Sequence, residues 1–579
     1  MTNKDKEVRV TETSNIMSKP KADTAFRIML IITIVLQLAV ALCFCVQKQG
    51  FHYDENYSYY SSNVTYGLNP PDGDWLSGST ISEEFCITPG MGFNFPLVAQ
   101  MQSFDVHPPV YYFLLNIICS LSSGIFSKWQ GLSLNLIFFV ISELLIIAIA
   151  NKVGNKNRAV TWFSLALFGF SPAIISGITF IRMYMLLTLE CMTLILVHMN
   201  MLSYVKDTGD TYSGTNSADE SNVGCDKGIN LSKKNSLRLH GYIKYLIPIA
   251  ATVYIGFLTH YYFAVFAFFV AAFTSLFLFF RKSTRKTSYI YALSVIGSLV
   301  LAVLSYPSCL RHIFRGYRGT EAMGAFFDMN NLSDRMGLFV GLLDDYVLNR
   351  TFYILLLIIL LAYVQVRFMN KRVSPNLCFG LSLITVVGYF AIVMKTALMN
   401  YEEAVRYEMP IYGLLIILIV VSLYGLLTDT SYVAEGDSRN RAIPKVICGI
   451  ILAITLVMQL KGLYDGKVLF LYPEEKKEIE FATEHKDDDI IYVYDNNNKW
   501  KMWDNAHELE QYNRIYCIEM NHEGGIDNRE LLESGHAYAY VMRYDAGEQL
   551  INKFIEDNPN INTAVLIEER GFADIYELR

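Results

Sequence analysis

The sequence contains little charge. Only 18% of its 579 residues are Asp, Glu, Lys or Arg, whereas about a quarter of the residues of a soluble domain are charged. The ten cysteines form no CxxC pair, which argues against a zinc ribbon and a disulfide scaffold. The net charge of −7 is too small and too dispersed for a nucleic-acid surface, and the sequence contains no repeat of fixed period. These absences argue against a soluble enzyme, a disordered chain and a fibre.

Apolar residues are abundant instead, and they stand in long runs. They make up 53% of the chain, and the mean hydropathy is +0.28. A membrane-spanning helix needs about 20 mostly apolar residues, and the uncharged run at 245–280 is long enough for two short spans that separate near Thr259. The sequence therefore predicts an α-helical polytopic membrane protein with eleven spans, at 28–46, 132–150, 159–181, 183–204, 245–280 (two spans), 288–307, 351–366, 376–396, 409–427 and 446–463.

A further apolar segment, 108–126, decides the topology of everything after it. If the N-terminus is cytoplasmic and this segment does not cross, the basic loops after the second, fourth, sixth, eighth and tenth spans all face the cytoplasm. If the segment crosses, all of them move outside. The positive-inside rule prefers the first arrangement. We therefore predict an interfacial or half-inserted helix here, with Tyr111 and Tyr112 at the level of the lipid headgroups.

On this map three regions face outside: a first loop at 47–131, a second loop at 308–350 and a tail at 464–579. The tail contains β-like runs at 489–494, 537–542 and 563–567 and a helical stretch at 548–555. This alternation predicts a small α/β domain. We divide the chain into a cytoplasmic segment (1–27), a transmembrane core (28–463) and an extracytoplasmic α/β domain (464–579). The polar stretch 206–239 is predicted to be a flexible cytoplasmic insert.

Two adjacent carboxylates, Asp54 and Glu55, follow the first span among aromatic residues. Partial burial at the membrane surface raises the pKa of a carboxyl group toward the range of a general base; an ordinary solvated loop carboxylate is the alternative. A second acid, Asp105, stands two residues before His107, which precedes two prolines. Proline starts helices, so this acid and imidazole suit an anion or sugar site at a helix N-terminus, or simply mark the helix start.

Several cationic or titratable residues are predicted at the outer ends of spans. Arg182 interrupts a long apolar stretch, Arg406 precedes the tenth span, and His260 lies in the hairpin between the fifth and sixth spans. All three share the predicted outer face with Asp54. Guanidinium groups at headgroup depth suit a phosphate carried on a lipid, while snorkelling toward headgroups is the alternative for each of them alone. Glu190 lies deeper and is predicted to be a protonated acid or a helix–helix hydrogen-bonding group.

Four motifs together resemble the polyprenyl-phosphate-dependent glycosyltransferases of the GT-C class. They are the Asp-Glu pair at 54–55, D-x-H-P-P-x-Y-Y at 105–112, R-M-Y at 182–184 and T-H-Y-Y at 259–262. The resemblance covers about residues 26–427 and is strongest to bacterial relatives of the protein O-mannosyltransferases and the aminoarabinose transferase of lipid A. In the latter a lysine precedes the proline where this chain has His107. No comparable pattern is present in the tail.

The resemblance implies an enzyme that moves a sugar, with inversion, from a polyprenyl phosphate to a glycan, lipid or protein acceptor. It also implies a multi-pass protein of the plasma membrane with its active site on the extracytoplasmic face. By this resemblance Asp54 takes the catalytic position as a general base, with Glu55 and Asp105 in the same catalytic group. The expected substrate-binding residues are His107, Tyr111, Arg182, Tyr184, His260, Tyr261, Arg406 and Tyr407.

No cofactor and no metal ligand are expected, because arginines alone can neutralise a departing monophosphate. The D-x-D patterns at 72–74 and 487–489 match the pattern of nucleotide-sugar sites; we interpret them as solvated, and they keep a divalent metal open. The expected partners are the lipid-linked sugar donor, an extracytoplasmic acceptor and membrane lipids, with no nucleic acid.

Three other functions compete with this interpretation. A transporter or flippase has a similar number of spans, but such proteins often contain inverted repeats and broken spans near the bilayer midplane. The ionisable residues singled out here gather at the outer interface instead. A catalytically inactive receptor that binds through its tail, and a lipid-headgroup transferase of another fold, are the remaining alternatives.

Overall fold

The computed structural model describes residues 3–65, 69–213, 243–369, 375–428, 442–520, 537–542, 552, 555–556, 561–570 and 573–579. The helices are α1 Asn3–Gln47, α2 Tyr53–Asn63, α3 Gly78–Glu83, α4 Phe95–Phe104, α5 Val110–Leu121, α6 Lys128–Val153, α7 Arg158–Gly169, α8 Pro172–Thr179, α9 Tyr184–Ser213, α10 Ile243–Phe257, α11 Tyr262–Phe280, α12 Arg285–Ser305, α13 Ser308–Phe314, α14 Tyr317–Phe327, α15 Leu332–Leu342, α16 Phe352–Phe368, α17 Leu377–Thr396, α18 Met409–Thr428, α19 Ala442–Tyr464, α20 Glu475–Glu484 and α21 Ala506–Leu509. A π-helix (Leu343–Val347) follows α15, and 3₁₀ helices precede α18 (Tyr401–Glu408) and α21 (Asn496–Asn505).

The fold is that of a helical membrane protein, as predicted. Within the described residues, eight helices are long and apolar enough to cross a membrane, or up to ten if each of two bent helix pairs counts as one span. All eleven predicted segments coincide with apolar helices, but three of them are broken or short. The 159–181 segment bends by 49° between α7 and α8, α10 is a short helix, and α16 meets the helix before it at 97°. Pro172 starts α8, and a proline in that position cannot continue the preceding helical ladder. Eleven crossings stay a prediction.

The segment that decided the predicted topology is a short helix. α5 has 12 residues and is therefore about 18 Å long, too short for a hydrocarbon core of about 30 Å. Its length agrees with a segment that does not cross. The two tyrosines at its start, Tyr111 and Tyr112, are completely buried in the protein core, so they do not face lipid; their level in the membrane stays a prediction.

The tail forms a six-stranded sheet, but one strand comes from the first loop. The strands are β1 Asp74–Leu76, β2 Asp489–Tyr494, β3 Ile515–Glu519, β4 Ala537–Met542, β5 Ala564–Glu569 and β6 Ala573–Leu578, in the order β1-β3-β2-β4-β6-β5. β2 lies parallel to β3 and β4, and the remaining pairs are antiparallel. The three predicted runs correspond to β2, β4 and β5, whereas nothing in 74–76 indicated a strand.

The two faces of the sheet belong to different apolar clusters. Along β2, Ile490 and Tyr492 are part of one continuous core with the membrane helices, while Ile491 and Val493 belong to a smaller cluster on the opposite face. A strand that is buried on both faces carries apolar residues at successive positions, as β2 does. The tail is therefore packed onto the helical core. The predicted helix at 548–555 and the predicted insert at 206–239 fall largely outside the described residues.

Candidate active site

A capping box fixes the two carboxylates at the start of α2. His52 is the N-cap residue; its Nδ1 accepts a hydrogen bond from the Asp54 amide (3.0 Å), and the Glu55 carboxylate accepts one from the His52 amide (2.5 Å). Carboxylates in a first turn are favoured by the helix dipole. Successive residues of an α-helix point about 100° apart, so Asp54 and Glu55 face different surroundings.

Glu55 is completely buried and faces the protein interior. One carboxylate oxygen pairs with Lys48 Nζ at 2.9 Å, and neither side chain is exposed to solvent. The other oxygen accepts a hydrogen bond from the Ile181 amide at 2.6 Å. Lys48 also donates to the carbonyl oxygen of Phe470 at 2.7 Å. Glu55 thus connects the end of α1, the break between α8 and α9 and the segment after α19.

Asp54 lies on the other side of α2 and keeps 30% of its side chain exposed. Its Oδ2 is 3.6 Å from Arg406 Nη2 and 3.7 Å from His52 Nδ1. Burial by itself raises the pKa of this carboxyl group, but the positive charges of Arg182 and Arg406 outweigh burial and hold the pKa below its usual range. The predicted rise was wrong in direction, because a carboxylate between two guanidinium groups is stabilised in its charged form.

Asp105 and His107 form a chain that ends on Arg182. His107 Nδ1 is 2.9 Å from Asp105 Oδ2, and its Nε2 is 3.3 Å from Arg182 Nη2. With the proton on Nδ1, the imidazole donates to Asp105 and accepts from Arg182; this tautomer follows from the hydrogen-bond network. Burial raises the pKa of Asp105, but the adjacent His107 and Arg182 together lower it below its usual value.

Arg182 lies in the break between α8 and α9 and is only 3% exposed. Its Nη1 donates to the Asp54 carbonyl oxygen at 3.0 Å and to Ser58 Oγ at 3.3 Å. Its Nε is buried and has no hydrogen-bond partner among the described residues. The broken helix therefore presents a buried guanidinium to α2 and leaves one donor unused.

Arg406 lies on a different element, the 3₁₀ helix Tyr401–Glu408, and is 5% exposed. Its Nη2 donates to the Tyr407 hydroxyl at 3.4 Å, and its Nη1 is 3.6 Å from Glu403 Oε2. The described part of the chain offers no hydrogen-bond partner to its Nε or Nη1. We call Asp54, Asp105, His107, Arg182 and Arg406 together the Asp54 cluster.

Aromatic rings form a wall beside the cluster. The ring centroids of Tyr184 and His260 are 5.6 Å apart, those of Tyr184 and Tyr407 5.9 Å, and those of His260 and His107 6.2 Å. Burial, reinforced by His107 and Arg182, lowers the pKa of His260 well below its usual value, so its imidazole is neutral. The structure thus brings Tyr184, His260 and Tyr407 to the predicted site.

Tyr261 and Tyr111 are placed less directly. The Tyr261 hydroxyl bonds to His312 Nδ1 at 2.8 Å, and His312 Nε2 is 3.1 Å from the Ser103 carbonyl oxygen, just before Asp105. Tyr261 is therefore linked through His312 to the end of α4, next to Asp105. Tyr111 is buried, and its hydroxyl has no hydrogen-bond partner within the described ranges.

Four further residues belong to the site but were missed as site residues. His52 and Glu403 flank predicted residues in the sequence, and their side chains approach to 3.4 Å; this adjacency was the available signal. Lys48 looked like an ordinary basic residue after a span. Phe470 stacks on Phe180 at 4.1 Å between ring centroids, and no local pattern connects it with the first loop, from which it is some 400 residues distant.

No group of three or more His, Cys, Asp or Glu side chains suited to a metal is present among the residues that the structure describes. Of the aspartates in the two D-x-D patterns, Asp72, Asp74 and Asp487 are exposed, as predicted, whereas Asp489 is buried. Asp72 accepts a hydrogen bond from the Glu519 amide (2.9 Å), Asp489 pairs with Arg514 (3.0 Å), and Asp487 accepts from an asparagine side chain. Both patterns stabilise the tail sheet.

Comparison with known proteins gives similarity to solved structures only. No family model and no curated protein sequence matches. The crystal structure of ArnT from Cupriavidus metallidurans bound to undecaprenyl phosphate is 11% identical, with 94% of this chain and 97% of that chain covered and a TM-score of 0.44. The Archaeoglobus fulgidus oligosaccharyltransferase, tethered with an acceptor peptide, is 12% identical, with 91% and 68% covered and a TM-score of 0.43. Both solved proteins are GT-C glycosyltransferases, the class that the motifs of this chain resemble.

Proposed function

We propose that this protein is a membrane glycosyltransferase that moves a sugar, with inversion, from a polyprenyl-phosphate donor to a hydroxyl group of an extracytoplasmic acceptor. One observation carries the proposal. Two buried arginines from different parts of the chain contact Asp54: Arg406 lies 3.6 Å from its carboxylate, and Arg182 donates to its backbone carbonyl oxygen. Among the described residues, both arginines retain guanidinium nitrogens without a hydrogen-bond partner. Such donors suit an anionic ligand, and the resemblance of the motifs indicates which one.

The two arginines are assigned to the donor's phosphate. Buried guanidinium groups with open hydrogen-bond positions gain most from a ligand that is charged and has several acceptor oxygens. Arg182 precedes α9, and Arg406 lies directly before α18, so both are at the ends of apolar helices. A phosphate on a membrane-anchored lipid reaches the same level, because its polyprenyl chain stays in the bilayer.

Asp54 is assigned the role of proton acceptor. The acceptor hydroxyl oxygen attacks the anomeric carbon, its proton passes to the Asp54 carboxylate, and the bond from that carbon to the phosphate oxygen breaks. The electron pair stays on the phosphate, where Arg182 and Arg406 stabilise the charge. A single displacement of this kind inverts the anomeric configuration.

The pKa of Asp54 is low in the free protein, and a carboxylate with a low pKa is a weak base. Asp54 fits the role of proton acceptor only when donor binding raises this pKa. A bound phosphate takes up the positive charge of Arg182 and Arg406 that now lowers the pKa of Asp54. The carboxylate then becomes a better base in the complex with donor than in the free protein. Until the donor binds, the charges of Arg182 and Arg406 keep Asp54 ionised and a poor base.

Glu55 and Asp105 are assigned positioning roles. All hydrogen bonds of Glu55 go to Lys48 and to backbone amides, so it holds α2 against the helices that carry Arg182. Asp105 fixes the tautomer and orientation of His107, which in turn accepts a hydrogen bond from Arg182. Neither carboxylate needs to touch the sugar for the transfer proposed here.

The tail is assigned the role of a cover over α2. Asn56 Nδ2 donates to the Trp503 carbonyl oxygen at 2.9 Å, and the Trp503 ring lies 4.8 Å from those of Tyr57 and Tyr60. The 3₁₀ helix Asn496–Asn505 therefore packs against α2, on the residues that follow Asp54. We propose that no metal takes part, since two guanidinium groups supply the charge that a monophosphate leaving group requires.

A donor-turnover assay tests the proposal. The full-length protein, reconstituted in lipid nanodiscs, is incubated with synthetic undecaprenyl phosphates that carry radiolabelled hexoses, pentoses or amino sugars, and free undecaprenyl phosphate is measured. We expect release from at least one donor, with the rate lowered about 10²–10⁴-fold in Asp54→Asn. The matched control is Asp465→Asn, an outer aspartate that pairs with Lys461 and lies outside the cluster. Release by Asp54→Asn at the wild-type rate, or movement of an intact donor between leaflets without cleavage, contradicts the proposal.

A further inference from the structure

A cavity lies beside the start of the 3₁₀ helix that carries Arg406. It has a volume of about 490 Å³ and lies between α15 with its π-helix, the start of the 3₁₀ helix Tyr401–Glu408 and the segment after α19. Ligand pockets in proteins typically have volumes of about 300–1,000 Å³. We call it the outer cavity, because on the predicted topology every element that lines it faces outside.

The walls of the outer cavity combine two tyrosines with two acidic and two basic side chains. Tyr346 and Tyr401 line it. Asp345 pairs with Lys467 at 3.1 Å and with Arg350 at 3.3 Å. Glu402 lines the cavity as well, so two acidic and two basic side chains leave its walls without net charge, and the cavity shows no preference for a strongly charged ligand. Their remaining acceptor and donor positions, together with two phenol rings, suit a neutral ligand that is rich in hydroxyl groups.

The backbone around the outer cavity keeps it open. Gly337 and Gly341 lie one turn apart on α15, and a Cβ atom added to either would meet no atom within 4 Å. Tyr401 has a φ of 47° and Arg350 a φ of 66°, a left-handed conformation that is rare for residues with large side chains. Such strain persists where the surrounding structure enforces it and is common at functional sites.

Two segments connect the outer cavity with the Asp54 cluster. Within the 3₁₀ helix, Tyr401 lines the cavity and Arg406 pairs with Asp54; at about 2 Å per residue they are about 10 Å apart along the axis. After α19, Lys467 lines the cavity and Phe470 stacks on Phe180 beside the cluster. A ligand in the cavity is therefore separated from the reacting groups by one short helix.

We propose that the outer cavity binds a neutral saccharide and holds the part of the acceptor that is remote from the reacting hydroxyl. Its identification as an acceptor subsite rests on the proposed transferase function, whereas saccharide binding does not. The acceptor is then an oligosaccharide or a glycoconjugate, because a single sugar cannot occupy the cavity and reach Asp54 together.

The glycines of α15 provide a test by filling the cavity. Gly341→Leu adds a side chain at a residue that lines the cavity, where an added Cβ meets no atom within 4 Å. Gly324→Leu on α14 is the matched control, because an added Cβ there also meets nothing within 4 Å and the residue does not line the cavity. Tyr401→Asn removes the phenol ring with a residue that tolerates positive φ. Each full-length variant, in nanodiscs and without donor, is applied to an array of defined neutral oligosaccharides.

We expect the wild type and Gly324→Leu to bind the same glycans and the two cavity variants to bind them at least about tenfold more weakly. With such a glycan as acceptor, the cavity variants should raise its KM by a similar factor while donor hydrolysis by water stays at the wild-type rate. Wild-type affinity in Gly341→Leu, or no glycan bound by the wild type, overturns the proposal. Glycan binding that Gly341→Leu abolishes, in a wild type that cleaves no donor, keeps the saccharide site and rejects both the acceptor role and the proposed function.

Discussion

The buried ion pair between Lys48 and Glu55 allows the two adjacent carboxylates to be separated by experiment. Glu55→Gln preserves the shape of the side chain but removes its charge. The Lys48 ammonium group, which has no exposed surface, then keeps the Phe470 carbonyl oxygen as hydrogen-bond acceptor and the rings of Phe51 and Tyr472 beside it, but no carboxylate. Removing one partner of a buried pair costs about 3–5 kcal/mol, because the other charge stays uncompensated. We therefore expect Glu55→Gln to destabilise the fold strongly.

Asp54→Asn should have the opposite effect. The Asp54 side chain is 30% exposed and lies 3.6 Å from its nearest ion-pair partner, so its charge is partly screened. We expect the unfolding temperature of the Asp54→Asn variant to change little while the donor turnover of this variant falls about 10²–10⁴-fold. Glu55→Gln should lower the unfolding temperature by several degrees, and its turnover, measured below that temperature, should fall less than that of Asp54→Asn.

The assay compares thermal unfolding in nanodiscs with donor turnover for the two single variants and for Lys48→Met/Glu55→Gln. The double variant removes the uncompensated cation, so it should recover a large part of the stability that Glu55→Gln loses. Wild-type stability of Glu55→Gln, or no recovery in the double variant, would refute the role of this ion pair. Loss of turnover in a stable Glu55→Gln protein would move Glu55 back into the catalytic group.

Three further predictions follow from the cluster and the tail. The folded-state pKa of Asp54 lies below its ordinary 3.8, so kcat/KM for donor hydrolysis should not fall through protonation of Asp54 above about pH 4. Arg406→Gln removes a cation that lowers this pKa and should move the acid limb of the pH profile to higher pH. An unshifted pH profile contradicts this coupling. Arg182→Ala and Arg406→Ala should raise the KM of the donor more than that of the acceptor, and equal losses toward both substrates argue against a phosphate site. Truncation after residue 473 removes the sheet partner of β1 and the Trp503 contacts with α2. It should therefore make the first loop accessible to protease, and it should raise the acceptor KM or destabilise the protein. A first loop that stays protected in the truncated protein argues against the role of the tail as a cover.

Sequence periodicity and charge were sufficient for the membrane part of the fold. Apolar runs of spanning length became apolar helices because burial in lipid requires that composition along the whole segment. That 108–126 does not cross was predicted from the distribution of basic residues alone, whereas the short length of α5 came from the structure. The strands β2, β4 and β5 were also predictable, because their side chains are apolar in short runs between polar residues.

The acid–base chemistry of the site could not be predicted, because it depends on distances between residues remote in sequence. The pKa of Asp54 is set by Arg182 and Arg406, which are some 130 and 350 residues away. The sequence placed all three on one face of the membrane, and this placement limits them to a common surface without giving a separation. Together, the charges of Arg182 and Arg406 outweigh burial, and the predicted direction of the pKa shift is reversed.

The sequence by itself determined which segments are apolar, which ends of the helices carry the charged residues and which of these share a side. These properties follow from the composition of a continuous stretch of chain, because the hydropathy and charge of each side chain do not depend on distant residues. Only the tertiary structure decided that Glu55 faces Lys48 while Asp54 faces the arginines, that Tyr111 is buried, and that residues 74–76 complete a sheet with the tail. Each of these three contacts depends on the partner that lies opposite a side chain or a strand edge. That partner comes from a distant part of the chain, and its position is fixed only when the core packs.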